Sequence, residues 1–316
     1  MTSPTTVVIA GHVCVDEIQT DRSVHRTAGS PAVFMAPVLT EAGCTPLVSA
    51  PHGRDFAALG TGLRMLEPAV GDRTLVYRND VRRTQRMQSV READTAFVTA
   101  PGRDSGTADA LGDAAALLFT PLLPSPWAGA VDAFTAAVPS DALRLLLVQG
   151  YLREPGAPGA DGLRPVLPRD FVEAGDVLPR FDVAVLSEED LPGVAHARAH
   201  AWSRAHPSTA IVVTRGPLGA SVHLRGERID VSTGEAGPLE PAALVGAGDV
   251  FGAELACALI ASPGRAAERA VIVDAVERAD RATSRRLAAR IVQRRAGPAG
   301  RDAAREAAQV GETPIA

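Results

Sequence analysis

The stretch Val245 to Leu255 (VGAGDVFGAEL) sets Gly246 and Gly248 just ahead of Asp249, and an apolar run through Phe251, Leu255, Ala256, Ala258, Leu259 and Ile260 follows. This pattern predicts a tight turn leading directly into a buried helix whose N-terminus is nearly bare of side chains. The N–H groups of such an end, with about half a positive charge from the helix macrodipole, can hold a phosphoryl group or a developing oxyanion. Asp249 stands at the mouth of that site. Its carboxylate can take a proton from a substrate hydroxyl while the amides of Ala247, Gly248 and Asp249 stabilise the group being transferred. The plain alternative is an Asp that only caps the helix.

Three other groups could join it. Thr6 to Val15 (TVVIAGHVCV) predicts one buried strand, and Asp16 then lies at its carboxyl end, where open α/β sheets bind ligands. A turn Asp is the alternative there. Ser187-Glu188-Glu189-Asp190 follows a buried strand predicted at Asp182 to Leu186; its acids either complement a helix dipole or hold water on Mg²⁺ in a nucleotide site. Arg82, Arg83 and Arg86 fall in a hairpin predicted from Thr74 to Arg78 and Thr84 to Val90, which is either a lid or a solvated edge.

The elements that would position these residues alternate as in a parallel sheet with helices on its faces. Gly29-Ser30-Pro31 opens a helix through Gly43, with Ser30 as N-cap and Pro31 in the first turn. A strand at Pro46 to Ala50 and a helix near Asp55 to Leu66 follow, whereas Thr20 to Ala28 reads as irregular. The rhythm resumes with Leu117 to Phe119, a helix near Ala128 to Val138 and a strand at Leu143 to Val148; Glu154 to Gly162 is loop. Ile211 to Thr214, Ala220 to Leu224 and Arg228 to Val231 predict a strand and an antiparallel edge. From Arg265 a long helical region carries Ile272, Val276, Ala279, Leu287 and Ile291 on one face and a solvated Arg face opposite, and the tail beyond Gly297 is loosely ordered.

Composition narrows the chemistry. The 316 residues, 46% hydrophobic and 22% charged, suit one large domain. A net charge of −5 argues against nucleic acid as a partner. All 32 basic residues are Arg and none is Lys, which excludes a P-loop lysine and Schiff-base chemistry. Phosphate must then be held by backbone, Arg or metal. Cys14, Cys44 and Cys257 are expected to be reduced thiols of a cytoplasmic protein; no basic stretch leads into an apolar segment near the start and no apolar run approaches 18 residues, so a soluble, unexported protein is expected. No Gly-x-Gly-x-x-Gly follows the first strand, which argues against a dinucleotide-binding dehydrogenase.

In their order along the chain these features resemble the ribokinase-like (PfkB) family of small-molecule kinases. Gly246-Ala247-Gly248-Asp249 with Phe251 is similar to that family's anion hole and catalytic base, and Val213 to Gly219 (VTRGPLG) to its nucleotide-side strand and turn. The resemblance implies a three-layer α/β/α fold over residues 1–298, with a mostly parallel central sheet and a small β lid from about residues 16–30 and 72–95. Asp249, Gly248, Ala247 and Gly246 would be catalytic, and Asp16, Gly29, Ser30, Val33, Gln149 and Arg153 would bind the acceptor. Thr214, Gly216, Gly219 and Ser187 would bind the nucleotide, with Asp190 and Glu188 holding a metal through water. ATP and Mg²⁺ are the implied cofactors, and a homodimer through the lid hairpins is the implied assembly.

The segments GHVCVDEI (Gly11 to Ile18), GSPAVF (Gly29 to Phe34), Thr74 to Asp94 and QGYLR (Gln149 to Arg153) look like the inositol-kinase branch, so a cyclitol such as myo-inositol is the expected acceptor. Several positions depart from the family pattern. Val33 replaces a frequent Asn, Ser187-x-x-Asp190 replaces Asn-x-x-Glu, Ala243, Leu244 and Val245 replace polar residues, and Glu254 replaces a frequent Gly. Two rival readings remain. One is a nucleoside acceptor stacked on Phe34 or Tyr77; the other is a catalytically silent relative that binds sugar or nucleotide.

Overall fold

The computed structural model describes residues 5–19, 23–80, 87–91, 101–102, 105–124, 129–232, 244–262, 264 and 266–295. The apolar run at the N-terminus makes two strands and not one. Thr5–Gly11 (β1) enters the central sheet, and after His12 and Val13 the chain turns into Cys14–Gln19 (β2) of a different sheet. Apolar character continues across the break, so hydrophobicity alone carries no sign of it. Val24–Gly29 (β3) pairs antiparallel with β2, from Cys14 opposite Gly29 to Gln19 opposite Val24. That strand was expected to be irregular because it is mostly exposed and lacks alternation; the ladder to β2 holds it.

Helix α1 (Pro31–Glu41) and β4 (Cys44–Ser49) follow. The next helix is only one turn, Arg54–Ala57 (α2), and not the longer one expected. Beyond it the chain runs beside β4, with Leu66 N–H donating to the Val48 carbonyl at 2.8 Å. Val76–Asp80 (β5) and Met87–Arg91 (β6) form the expected hairpin, whose turn with Arg82, Arg83 and Arg86 lies outside the described residues. Then come α3 (Ser105–Gly112), β7 (Ala116–Thr120), α4 (Gly129–Ala137), β8 (Leu143–Leu147), β9 (Arg153–Pro155) and β10 (Arg164–Pro168). A short α5 (Ala174–Val177) leads to β11 (Val183–Ser187), α6 (Ala195–Ala205), β12 (Ala210–Thr214), β13 (Ala220–Leu224) and β14 (Glu227–Val231). Two helices close the described chain, α7 (Ala247–Ile260) and the 27-residue α8 (Arg269–Arg295).

The central sheet has the order β14-β13-β12-β11-β8-β7-β1-β4. It is parallel from β12 to β4, with β13 and β14 as an antiparallel edge. Its inner strands bury both faces, which is why they read as unbroken apolar runs. Ile9, Met35, Leu145, Val185, Phe251, Leu255 and Val276 pack on the face covered by α1, α7 and α8. Phe119, Phe134, Leu146, Phe181 and Ile211 pack on the opposite face with α4 and α6. The second sheet, of order β3-β2-β5-β6-β10-β9, rests on a smaller cluster of Cys14, Leu75, Tyr77, Val90, Leu122 and Leu123. The result is a three-layer α/β/α body carrying a small β sheet, with only His12 and Val13 between β1 of the body and β2 of the small sheet.

Candidate active site

Helix α7 starts on Gly246, which has φ +74°. A Cβ at that position would lie 2.4 Å from Phe34 Cγ, so both conformation and space require glycine. Ala247 N–H donates to the Leu244 carbonyl at 3.0 Å, and Val250 N–H to the Gly246 carbonyl at 2.9 Å. Among the described residues the N–H groups of Gly248 and Asp249 have no acceptor. The turn therefore offers two amides to an anion, and the Ala247 amide, expected as a third, is already paired.

Asp249 is half-buried and lines a cavity of about 290 Å³. Burial is the main force pushing its carboxyl up to about 7, with Asp16 and Asp190 adding to the rise and Arg153 and Arg290 opposing it. A carboxyl poised near neutrality suits a general base.

Asp16, in the second sheet, acts on this carboxyl through its charge and is not among the residues lining the cavity. It sits in the middle of β2 and not at the end of the first strand, and Gly29 beside it is a close approach: a Cβ there would lie 2.4 Å from the Asp16 carboxyl carbon. Asn79 Nδ2 donates to Asp16 Oδ1 at 3.3 Å, and Gln88 Nε2 donates to Asn79 Oδ1 at 2.9 Å. The hairpin thereby braces the carboxylate from behind. Ser30 is buried at φ +149°, and its hydroxyl makes no hydrogen bond, so the expected cap of α1 does not form. This backbone region is nearly confined to glycine and costs about 1–3 kcal/mol. Ser30→Gly should therefore raise the melting temperature while raising the acceptor KM several-fold; a fall in melting temperature would show that Ser30 is not strained. Val33 packs against the main core.

One side of the cavity is built by strand ends and turns. Gln149, Arg153, Ser187, Thr214, Gly216 and Gly219 all line the same cavity as Asp249. Ser187 Oγ accepts from Glu189 N–H at 3.2 Å, and Asp190 Oδ2 accepts from Ser187 N–H at 2.9 Å, a capping box that fixes the acidic turn. Asp190 Oδ1 also lies 3.8 Å from Arg153 Nη2. Glu188, expected to hold a metal with Asp190, lies 3.9 Å from His196 Nε2 and is not among the residues lining the cavity, whereas Glu189 and Asp190 are. No cluster of three or more His, Cys, Asp or Glu suited to a metal occurs among the described residues. Two carboxylates at the cavity, Glu189 and Asp190, would suit a Mg²⁺ ion held through water.

The far wall comes from α8, whose polar face the sequence assigned to solvent. Asp280, Thr283, Ser284 and Leu287 line the cavity. Thr283 is 8% exposed and its hydroxyl lacks a partner. Hydroxyl residues breaking an Arg/Ala rhythm were the one available signal. Of the two aromatics considered for stacking, Tyr77 is buried in the core of the small sheet with its hydroxyl on the Leu122 carbonyl at 2.8 Å.

No protein-family model and no curated protein matches the sequence. Solved structures do. A pyrophosphate-dependent kinase in the ribokinase family, complexed with a pyrophosphate analog and myo-inositol, superposes with a TM-score of 0.67 at 17% identity over 89% of this chain and 94% of that one. Ribokinase from Giardia lamblia gives 0.66 at 15% identity over 89% and 92%. Fructokinase from Vibrio cholerae O395, bound to fructose, ADP and potassium or calcium ion, gives 0.61 at 16–17% identity over 90% of this chain. This chain has the fold of the ribokinase-family sugar kinases.

Proposed function

We propose that this protein is a kinase that transfers the γ-phosphoryl group of ATP to a hydroxyl of a cyclitol or sugar, with a myo-inositol-like acceptor favoured. The carrying observation is Asp249, a carboxyl held near neutrality beside the unpaired Gly248 and Asp249 amides at the start of α7. Asp249 takes the proton of the acceptor hydroxyl as that oxygen attacks phosphorus, and the two amides face the charge on the transferred group. Asp16, braced by Asn79, accepts hydrogen bonds from neighbouring acceptor hydroxyls. Mg²⁺, held through water by Glu189 and Asp190, would neutralise charge on the donor's phosphates.

The cavity walls support a nucleotide over pyrophosphate as donor. Leu147, Val185, Leu186, Leu244, Phe251 and Leu287 give it an apolar lining that a wholly anionic donor does not need, and the lone Thr283 hydroxyl lies in the same wall. A cytoplasmic location fits both ATP and the three free thiols.

The test is ADP release from Mg·ATP against inositols, hexoses, pentoses and nucleosides, with pyrophosphate as the competing donor. Acceptor-dependent turnover is expected to be largest with an inositol. Because only ionised Asp249 is a base, kcat/KM should rise about tenfold per pH unit below about 7 and level off above it. Nucleotide binding without turnover on any acceptor would overturn the reading in favour of a silent relative, and turnover with pyrophosphate alone would replace the donor.

A further inference from the structure

The entry to the catalytic turn has little packing of its own: Leu244 is 40% and Val245 41% exposed. What reaches it is a cation from α8. Arg290 Nη1 donates to the Val245 carbonyl at 3.3 Å, and the guanidinium carbon stands 5.6 Å from the centroid of the Phe34 ring. Phe34 is the same ring that a Cβ on Gly246 would strike. One cation thus touches both the residue entering the turn and the side chain against which the turn's glycine rests. One helical turn earlier, Arg286 already ties α8 to Glu254 of α7 and, at 2.7 Å, to Glu41 of α1. Arg286 thus holds α8 to α7 and α1, and Arg290 meets the entry of the turn.

We propose that Arg290 is the positioning residue of the anion-binding turn, holding Val245 directly and Gly246 through Phe34 so that the Gly248 and Asp249 amides face the cavity. Its catalytic consequence rests on the kinase reading above; its effect on anion binding does not. A guanidinium both donates to a carbonyl and lies over an aromatic face, and a lysine can do each less well.

The experiment compares Arg290→Met, Arg290→Lys, Phe34→Leu and the Arg290→Met/Phe34→Leu pair with the parent, by turnover, by calorimetric titration with inorganic pyrophosphate, and by thermal melting. Arg290→Met should lower kcat about 10- to 100-fold, since small misplacements of reacting groups have effects of that size. Acceptor KM should change less than about threefold and pyrophosphate affinity should fall about tenfold, while Arg290→Lys recovers most of both losses. Phe34→Leu should produce a loss of the same kind, and the pair should be no worse than the weaker single variant by more than about threefold, because both act on one turn. Values within twofold of the parent for Arg290→Met, or single losses that simply multiply in the pair, would overturn the proposal. Should Arg290→Met fail to fold, Arg290→Gln takes its place in the same cycle with Phe34→Leu. A parent that binds pyrophosphate but phosphorylates no acceptor sinks the kinase reading alone, and the binding series still decides the role of Arg290.

Discussion

Asp249→Asn is expected to lower kcat by about 10²–10⁴-fold and, in the same protein, to raise stability above neutral pH. The two effects share a cause. Burial and the charges of Asp16 and Asp190 raise the Asp249 carboxyl from 3.8 to about 7, so the folded chain keeps its proton where the unfolded chain has lost it. That contribution is complete below about pH 4 and disappears as pH rises through about 7, above which the fold carries a poorly solvated charge. Asparagine carries none. A shift of about three units corresponds to roughly 4 kcal/mol, and because the side chain opens on the cavity about 1–3 kcal/mol is the realistic gain. Melting curves at pH 5 and pH 8.5 should show the larger stabilisation at the higher pH. Equal stability at pH 8.5 would remove the raised pKa, and a variant keeping more than a tenth of parental kcat would remove Asp249 as the base.

Gly246→Ala carries the next largest effect. A left-handed residue with a side chain costs about 1–2 kcal/mol, and forcing a methyl into the Phe34 ring adds about 1–3. The variant should lose about 2–5 kcal/mol by chemical denaturation and most of its kcat, because the amides that follow Gly246 move with it. Adding Phe34→Leu should return part of the stability by making room and none of the left-handed strain. A loss under about 0.5 kcal/mol in the single variant would mean that the turn is not held against that ring.

What could be read in advance was local. The Gly-Ala-Gly-Asp turn and the buried parallel strands are written in consecutive residues, so their types and order were legible, and so was the hairpin of β5 and β6. The break between β1 and β2 was not, since Ala10 to Val15 is apolar on both sides of the turn and its meaning lies in which sheet each half joins. β3 was missed because a ladder, and no pattern of its own, makes it a strand. The acids after β11 could not be told apart by spacing; His196 on α6 draws Glu188 aside and leaves Glu189 at the cavity. Glu254 and Val245 look like losses when set against the family pattern. In three dimensions Arg286 meets the first and Arg290 the carbonyl of the second, both from a helix whose arginines appeared to face only water.

The same clamp has a consequence for how the protein is made. Glu41 and Arg286 are 245 positions apart in the chain. At about 5–20 residues per second, a ribosome takes roughly 12–50 seconds to go from one to the other. Throughout that interval α1 exists without the cation that ties it to α8, and contacts of such sequence separation are slow to form even once both partners are present. The three-helix clamp of α1, α7 and α8 is thus completed last, after every strand of both sheets has been synthesised.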